Sequence, residues 1–202
     1  MTALPVGFDL DMTLIDSRRA VMASFAGVAA DTGVPIDPAA VDRRLGIKLQ
    51  DELAYWFPPE QIAAAVGIYR THYSRLLAEL TTRLPGAAEA LAAVRAAGAR
   101  VVVVTAKFGP TAQLSLDATG LAADEMFSEV HGPEKAAVLA ALGAGVYVGD
   151  TPADVSAAAT AGIHGIGVTT GSFSADDLRA AGATDVLASL TEFPALYRTI
   201  AG

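Results

Sequence analysis

Val101-Val102-Val103-Val104 is the segment that most restricts how this chain can fold. Four β-branched residues in a row, uncharged and without polar alternation, suit a strand covered by helices on both faces. Val6-Gly7-Phe8, Gly145-Val146-Tyr147-Val148 and the run from Ile163 to Val168 have the same character. Shorter strands are expected from Glu125 to Ser128 and from Asp185 to Leu187. Between them the sequence predicts helices over 87–97, from about Pro110 to Gly120, and over 134–142, 155–161 and 174–181. Pro85-Gly86 opens the first of these and Gly98 stops it. Strands alternating with helices of roughly 8 to 12 residues specify a mostly parallel sheet between helical layers. The expected fold is therefore a Rossmann-like, three-layer α/β core.

One stretch does not fit that alternation. From Arg18 to about Leu80 the chain reads as helical, with breaks at Thr32-Gly33-Val34-Pro35, Leu45-Gly46 and Phe57-Pro58-Pro59. This is more chain than a single crossover between parallel strands requires. Residues 17–80 are read as a helical cap inserted after the first strand, and 1–16 with 81–202 as the α/β core. Trp56 and Phe57 are assigned to packing within the cap or at its hinge.

A chain of 202 residues accommodates one such core with a smaller insert, not two average domains. Its 43 alanines favour closely packed helices. Acids outnumber bases 22 to 14, a net charge of −8, which argues against nucleic-acid or anionic-membrane partners. The lack of cysteine excludes disulfides, thiolate nucleophiles and thiolate zinc sites, and fits a reducing compartment. The N-terminus lacks the basic leader and long apolar run of a signal peptide. The longest near-apolar stretch, Leu91 to Ala106, is broken by Arg95 and Arg100, so no membrane span is expected. A soluble, cytoplasmic protein is expected, as a monomer or homodimer.

In a sheet of this kind the carboxyl ends of the strands form the binding edge. The polar groups there are Asp9 and Asp11, Thr105, Lys135, and Asp150 with Asp154. Each has an ordinary alternative. Asp150-Thr151-Pro152 suits a helix cap, Thr105 suits a backbone-bonding role, and Lys135 suits a solvated helix face. Asp9 and Asp11 resist such a reading, because two carboxylates flanking one leucine at a buried strand end repel each other unless a cation intervenes.

Asp9-Leu10-Asp11-Met12-Thr13 resembles the Asp-x-Asp-x-Thr signature of the haloacid dehalogenase-like superfamily of hydrolases. Thr105, Lys135 and Gly149-Asp150-Thr151-Pro152-Ala153-Asp154 resemble its second, third and fourth motifs. The resemblance covers the whole chain and is nearest to the phosphoglycolate phosphatase-like branch with a helical cap. It implies that Asp9 is the nucleophile that becomes an aspartyl phosphate, and that Asp11 is the general acid and then the general base. It implies that Thr105 and Lys135 hold the phosphoryl oxygens, that Asp150 holds Mg²⁺, and that Asp154 supports or binds that metal. Met12 departs from the glycine commoner at its position in this branch.

The same residues suit phosphoryl transfer on chemical grounds. The reaction needs positioning and charge neutralisation, and Mg²⁺ takes hard oxygen ligands. Asp9 and Asp150 supply two carboxylates and the Asp11 carbonyl a further oxygen. A two-residue offset along extended chain returns Asp11 to the side of Asp9. The expected activity is Mg²⁺-dependent hydrolysis of a small phosphorylated metabolite. A phosphomutase of the β-phosphoglucomutase type and a non-catalytic phosphate- or metal-sensing module are the alternatives. Residues 17–80 hold seven bases and seven acids, so the insert is the least acidic part of the molecule. Arg43, Arg44 and Lys48, clustered around Gly46, are the candidate contacts to the non-phosphate end of the substrate. His131 is expected in the loop before Lys135, His164 in a structural role, and Thr170-Gly171-Ser172 at the fringe of the pocket. His72, His131 and His164 do not have the spacing of a metal triad.

Overall fold

Val101–Val104 forms a strand buried on both faces in the computed structural model, which describes residues 3–201. Val101 and Val103 enter one apolar cluster, with Phe8, Leu116 and Phe193, while Val102 and Val104 enter another, with Leu139, Tyr147 and Ala158. The period-two alternation of a strand therefore feeds two cores. Each buried valine contributes roughly 1.5–3 kcal/mol relative to exposure.

Along the chain, β1 (Val6–Phe8) and a two-residue β2 (Ile15–Asp16) lead into four helices. These are α1 (Arg18–Thr32), α2 (Pro38–Arg43), α3 (Leu49–Leu53) and α4 (Pro59–Leu80). β3 (Thr82–Arg83), α5 (Ala87–Ala96), β4 (Val101–Val104) and α6 (Gly109–Thr119) follow. Next come β5 (Glu125–Phe127), α7 (Pro133–Leu142), β6 (Val146–Gly149) and α8 (Pro152–Ala161). β7 (His164–Val168), α9 (Ala175–Ala180), β8 (Asp185–Leu187) and α10 (Phe193–Ala201) complete the described residues.

The main sheet has the order β5-β4-β1-β6-β7-β8, with every pair parallel. β1 lies centrally, so the chain after it emerges between the ends of β4 and β6. That order alone puts Asp9, Thr105 and Asp150 side by side on one edge. Gly7 is the close-approach point in β1: a side chain there would meet the Tyr147 ring at 2.8 Å.

The helices from α1 to α4 pack around their own apolar centre, which includes Phe25, Val28, Leu53, Phe57 and Val66. This cluster is separate from both faces of the sheet. Gly27 allows α1 and α4 to approach, since a Cβ there would lie 2.6 Å from the His72 ring.

Two elements lie outside what the sequence reading provides. β2 and β3 pair antiparallel, Ile15 with Arg83 and Asp16 with Thr82, and so tie together the points where the chain leaves and re-enters the core. Two residues per strand carry no periodicity to read. The second is α10, whose buried Phe193 and Tyr197 and partly buried Leu196 and Ile200 pack beside α5 on the first core. None of the helices among the described residues is long and apolar enough to cross a membrane.

Candidate active site

The edge is built from the ends of β1, β4 and β6. The Asp9 N–H donates to the Val148 carbonyl at 2.8 Å, which extends the sheet register to the residue where the side chain leaves the edge. The chain then turns at once, with the Thr13, Leu14 and Ile15 N–H groups all directed at the Leu10 carbonyl. Met12 adopts φ +59° in that turn. This left-handed conformation costs a residue with a side chain about 1 kcal/mol and favours glycine. Burial of the thioether side chain, 8% exposed, offsets the strain. Thr13 Oγ donates to Asp150 Oδ1 at 3.0 Å and Thr170 Oγ donates to the Met12 carbonyl, so the ends of β1, β6 and β7 are laced together.

Lys135 lies in the first turn of α7, where the helix dipole disfavours a cation. Carboxylates hold it there. Its Nζ donates to Asp9 Oδ1 at 2.9 Å and to Asp154 Oδ1 at 2.6 Å, and sits 5.7 Å from the centre of the Tyr147 ring. Burial works against the charged ammonium, but Asp154 and Asp9 raise its pKa well above the ordinary lysine range.

Asp154 is fully engaged. Oδ1 accepts from Lys135 and from the Tyr147 hydroxyl at 3.2 Å, and Oδ2 accepts from the Thr151 N–H and hydroxyl at 3.1 and 2.6 Å. The bond from the Thr151 N–H, with that from the Asp154 N–H to the Thr151 hydroxyl oxygen at 3.2 Å, forms a capping box in which Thr151, not Asp150, caps α8. Asp150 is thus released from helix capping and faces the cluster.

Oxygens of Asp9, Asp150 and Asp154 lie within 4.8 Å of one another, all buried. Fully ionised, three carboxylates against the one ammonium of Lys135 would carry a formal charge of −2 in this pocket. Burial first, then the Asp154 charge, push the Asp9 carboxyl up to about 7 despite Lys135. Burial and the Asp9 and Asp154 charges likewise raise Asp150 well above the usual carboxylate range. A carboxylate cluster able to coordinate a divalent metal ion is therefore present, and its excess negative charge is what such an ion offsets.

Asp11 is not one of those three carboxylates but lines the same cavity, where its Oδ1 accepts from Lys107 Nζ at 2.7 Å. Thr105 is 1% exposed at the end of β4 and lines the same cavity. Its hydroxyl accepts from the Lys107 N–H at 3.2 Å.

The cavity encloses about 690 Å³ between the sheet edge and the helical insert. Arg44 and Lys48 line it; Arg43, exposed at the end of α2, does not. Arg44 is committed to its own segment. Its guanidinium makes a two-pronged pair with Glu52, 2.7 Å on each arm, and covers the Tyr55 ring at 4.2 Å. His131 lines the opposite wall, and burial together with the Lys48 charge lowers its pKa, so the ring is neutral near pH 7. Thr170 touches the Asp9–Thr13 turn, Ser172 lines the cavity, and His164 pairs with Asp185 at 2.8 Å.

Lys107, Tyr73 and Arg70 are among the cavity residues that the sequence does not single out. Arg70 lies 3.7 Å over the Phe108 ring and 3.5 Å from Glu129. Lys107 had a usable signal, a basic residue two positions beyond a polar strand end. Tyr73 and Arg70 reach the site only through the tertiary fold.

Comparison with known proteins gives a consistent picture. The family described as haloacid dehalogenase-like hydrolase matches residues 6–159. The probable phosphatase IndB of Dickeya dadantii is 31% identical over 194 residues, covering 86% of this chain and 84% of its own. A plasmid-encoded phosphoglycolate phosphatase of Cupriavidus necator is 32% identical over 208 residues, covering 93% and 90%. Among solved structures, the haloacid dehalogenase-like family protein SP0104 from Streptococcus pneumoniae superposes with a TM-score of 0.84 at 22% identity, over 96% of this chain and 98% of that one.

Proposed function

The chain belongs to the haloacid dehalogenase-like hydrolases and resembles their phosphoglycolate phosphatase-like branch, and on that footing we propose that it is a Mg²⁺-dependent phosphatase of small-molecule phosphate monoesters. The observation that carries this reading is the buried group of Asp9, Asp150, Asp154 and Lys135, three carboxyls to one ammonium, at the floor of a cavity sized for a metabolite.

Asp9 is assigned as the nucleophile. As its carboxylate oxygen bonds to phosphorus, the ester P–O bond breaks and the Asp11 carboxyl gives its proton to the departing oxygen. Asp11, now a carboxylate, takes a proton from water as the water oxygen bonds to phosphorus and the Asp9–phosphorus link breaks. Inorganic phosphate leaves and both acids are restored. Lys135 and Thr105 are assigned to the phosphoryl oxygens.

Asp9, Asp150 and the Asp11 carbonyl are the groups assigned to Mg²⁺. Asp154, with both oxygens occupied, supports the site through Lys135 and Thr151. When bound, Mg²⁺ supplies positive charge beside the phosphoryl oxygens and offsets their repulsion of Asp9. Residues 17–80 are assigned as the cap, and 1–16 with 81–202 as the catalytic core. Lys48, exposed at the cavity, is the favoured contact to the far end of the substrate, ahead of Arg44 and Arg43.

The test is a panel of phosphate esters assayed with Mg²⁺ and with a strong chelator, alongside Asp9→Asn. Inorganic phosphate released only by the native protein with metal supports the assignment. Phosphate release that persists under chelation, or an isomeric phosphate as the sole product, refutes it.

A further inference from the structure

One ammonium group touches both sides of the cavity. Lys107 leaves the core just after β4, and its side chain is 8% exposed. Nζ donates to Asp11 Oδ1 at 2.7 Å and to the Tyr73 hydroxyl at 2.6 Å, and stands 4.3 Å from the centre of the Tyr73 ring. Tyr73 belongs to α4 of the helical insert and is itself buried, stacked on Tyr69 with 5.8 Å between ring centres. The Lys107 backbone is pinned too: its N–H donates to Thr105 and its carbonyl accepts from the Glu129 N–H at 3.0 Å.

A buried ammonium is costly unless its donors are paired, and Lys107 spends two of three on Asp11 and Tyr73. The hydrogen bonds around Asp9, Asp150, Asp154 and Lys135 do not include it. Asp11, by contrast, has a side chain 30% exposed, and among the described residues Lys107 supplies the one side-chain hydrogen bond to its carboxylate.

The geometry points to Lys107 as the positioning residue for Asp11, with Tyr73 as the anchor through which the helical insert governs that position. The inference rests on the phosphatase reading, because it concerns the group assigned to protonate the leaving oxygen. Held by Lys107, the Asp11 carboxyl is confined to one part of the cavity; without it, the side chain turns freely about two bonds. Since the second partner of the ammonium is on α4, Asp11 is correctly aimed only when the insert is seated against the core. Proton delivery is thereby tied to enclosure of the substrate.

An ester with an acidic phenol leaving group departs without a proton, whereas an alkyl ester needs one. The experiment measures kcat and KM on p-nitrophenyl phosphate and on the best alkyl phosphate of the panel. It uses the full chain with Mg²⁺, the native protein, Lys107→Met, Lys107→Arg, Tyr73→Phe and Asp9→Asn. Lys107→Met is expected to lower kcat on the alkyl ester about 100-fold, with a loss on the aryl ester at least about tenfold smaller. KM is expected to change by less than about threefold, Tyr73→Phe to shift the same ratio by about five- to tenfold, and Lys107→Arg to restore part of the alkyl activity. Equal losses on both esters, or a loss confined to KM, overturns the inference, for the lysine then acts structurally or holds substrate. If Lys107→Met fails to fold by circular dichroism, Tyr73→Phe, which removes a single oxygen, decides by the same ratio. Asp9→Asn separates the two levels: activity in that variant brings down the phosphatase reading, whereas its inactivity leaves Lys107 alone on trial.

Discussion

The two walls of the cavity are built on different plans. On the sheet edge, the polar side chains are linked to one another across elements: Lys135 to Asp9 and Asp154, Asp154 to Lys135, Tyr147 and Thr151, Asp150 to Thr13. On the insert wall, Arg44 is satisfied by neighbours in its own segment, and Lys48 is exposed. Behind the edge lie the two sheet cores; behind the insert wall lies an apolar cluster of its own. A wall whose side chains are tied together across several strand ends keeps chemistry constant, and a segment such as residues 44–55, whose charged groups are paired within it or left exposed, tolerates change without disturbing that chemistry.

The sharpest break of this contrast is at Asp9. Asp9→Asn is expected to lower phosphate release by about 10⁴-fold or more, as for other nucleophile deletions. Thermal stability without metal should stay level or rise, because the substitution removes a charge that burial disfavours. Phosphate release and a melting curve on the same preparation check both halves. A variant that unfolds would show that the edge is a structural network first.

Gly171 tests the edge from behind. A Cβ at this position would lie 2.0 Å from Asp150 Oδ2, so Gly171→Ala must displace that carboxylate. The Mg²⁺ concentration giving half-maximal rate is expected to rise by about 10- to 100-fold, with little change in the fold. An unaltered metal dependence would remove Asp150 from the ion's assigned ligands.

Protons and metal compete for the same cluster, which gives the edge a pH signature of its own. Asp9 has its pKa raised to about 7 by burial and by the Asp154 charge, so the folded metal-free protein retains a proton that the unfolded chain has already lost. More protons bound to the folded form means that stability falls as pH rises from about 4 to about 7. Mg²⁺ stabilises most where those protons are gone. Saturating Mg²⁺ should raise the melting temperature by about 5–10 °C near pH 8, and by less than half as much near pH 5. A larger shift at the lower pH would contradict the assignment.

The same contrast explains what could be read without coordinates. Val101–Val104 and Val146–Gly149 are legible because burial on both faces demands continuous apolar runs, and the parallel order of their strands then fixes where Asp9, Thr105 and Asp150 emerge. The site's floor inherits its position from backbone topology. Lys107 and Tyr73 are illegible because their meeting depends on how α4 lies over the loop after β4, and no periodicity encodes that packing. Charge bookkeeping drew attention to Arg43, Arg44 and Lys48 together, yet it has no means of telling a guanidinium already paired with Glu52 from an ammonium facing the cavity.

Those three basic residues provide the finest test of independence between the walls. Lys48→Met should change relative kcat/KM across the ester panel by about tenfold, mostly through KM, with the melting temperature unchanged. Arg44→Ala acts differently: it leaves the buried Glu52 carboxylate with the Trp56 indole N–H but no opposite charge, so its effect should register as a less stable insert before any change of preference. Arg43, exposed and off the cavity, should tolerate alanine within about twofold in every parameter. The ordering matters more than the sizes. If Arg43→Ala alters substrate preference as much as Lys48→Met, the insert must move far enough during turnover to bring the end of α2 into the cavity, and the separation of the two walls holds only for the resting arrangement.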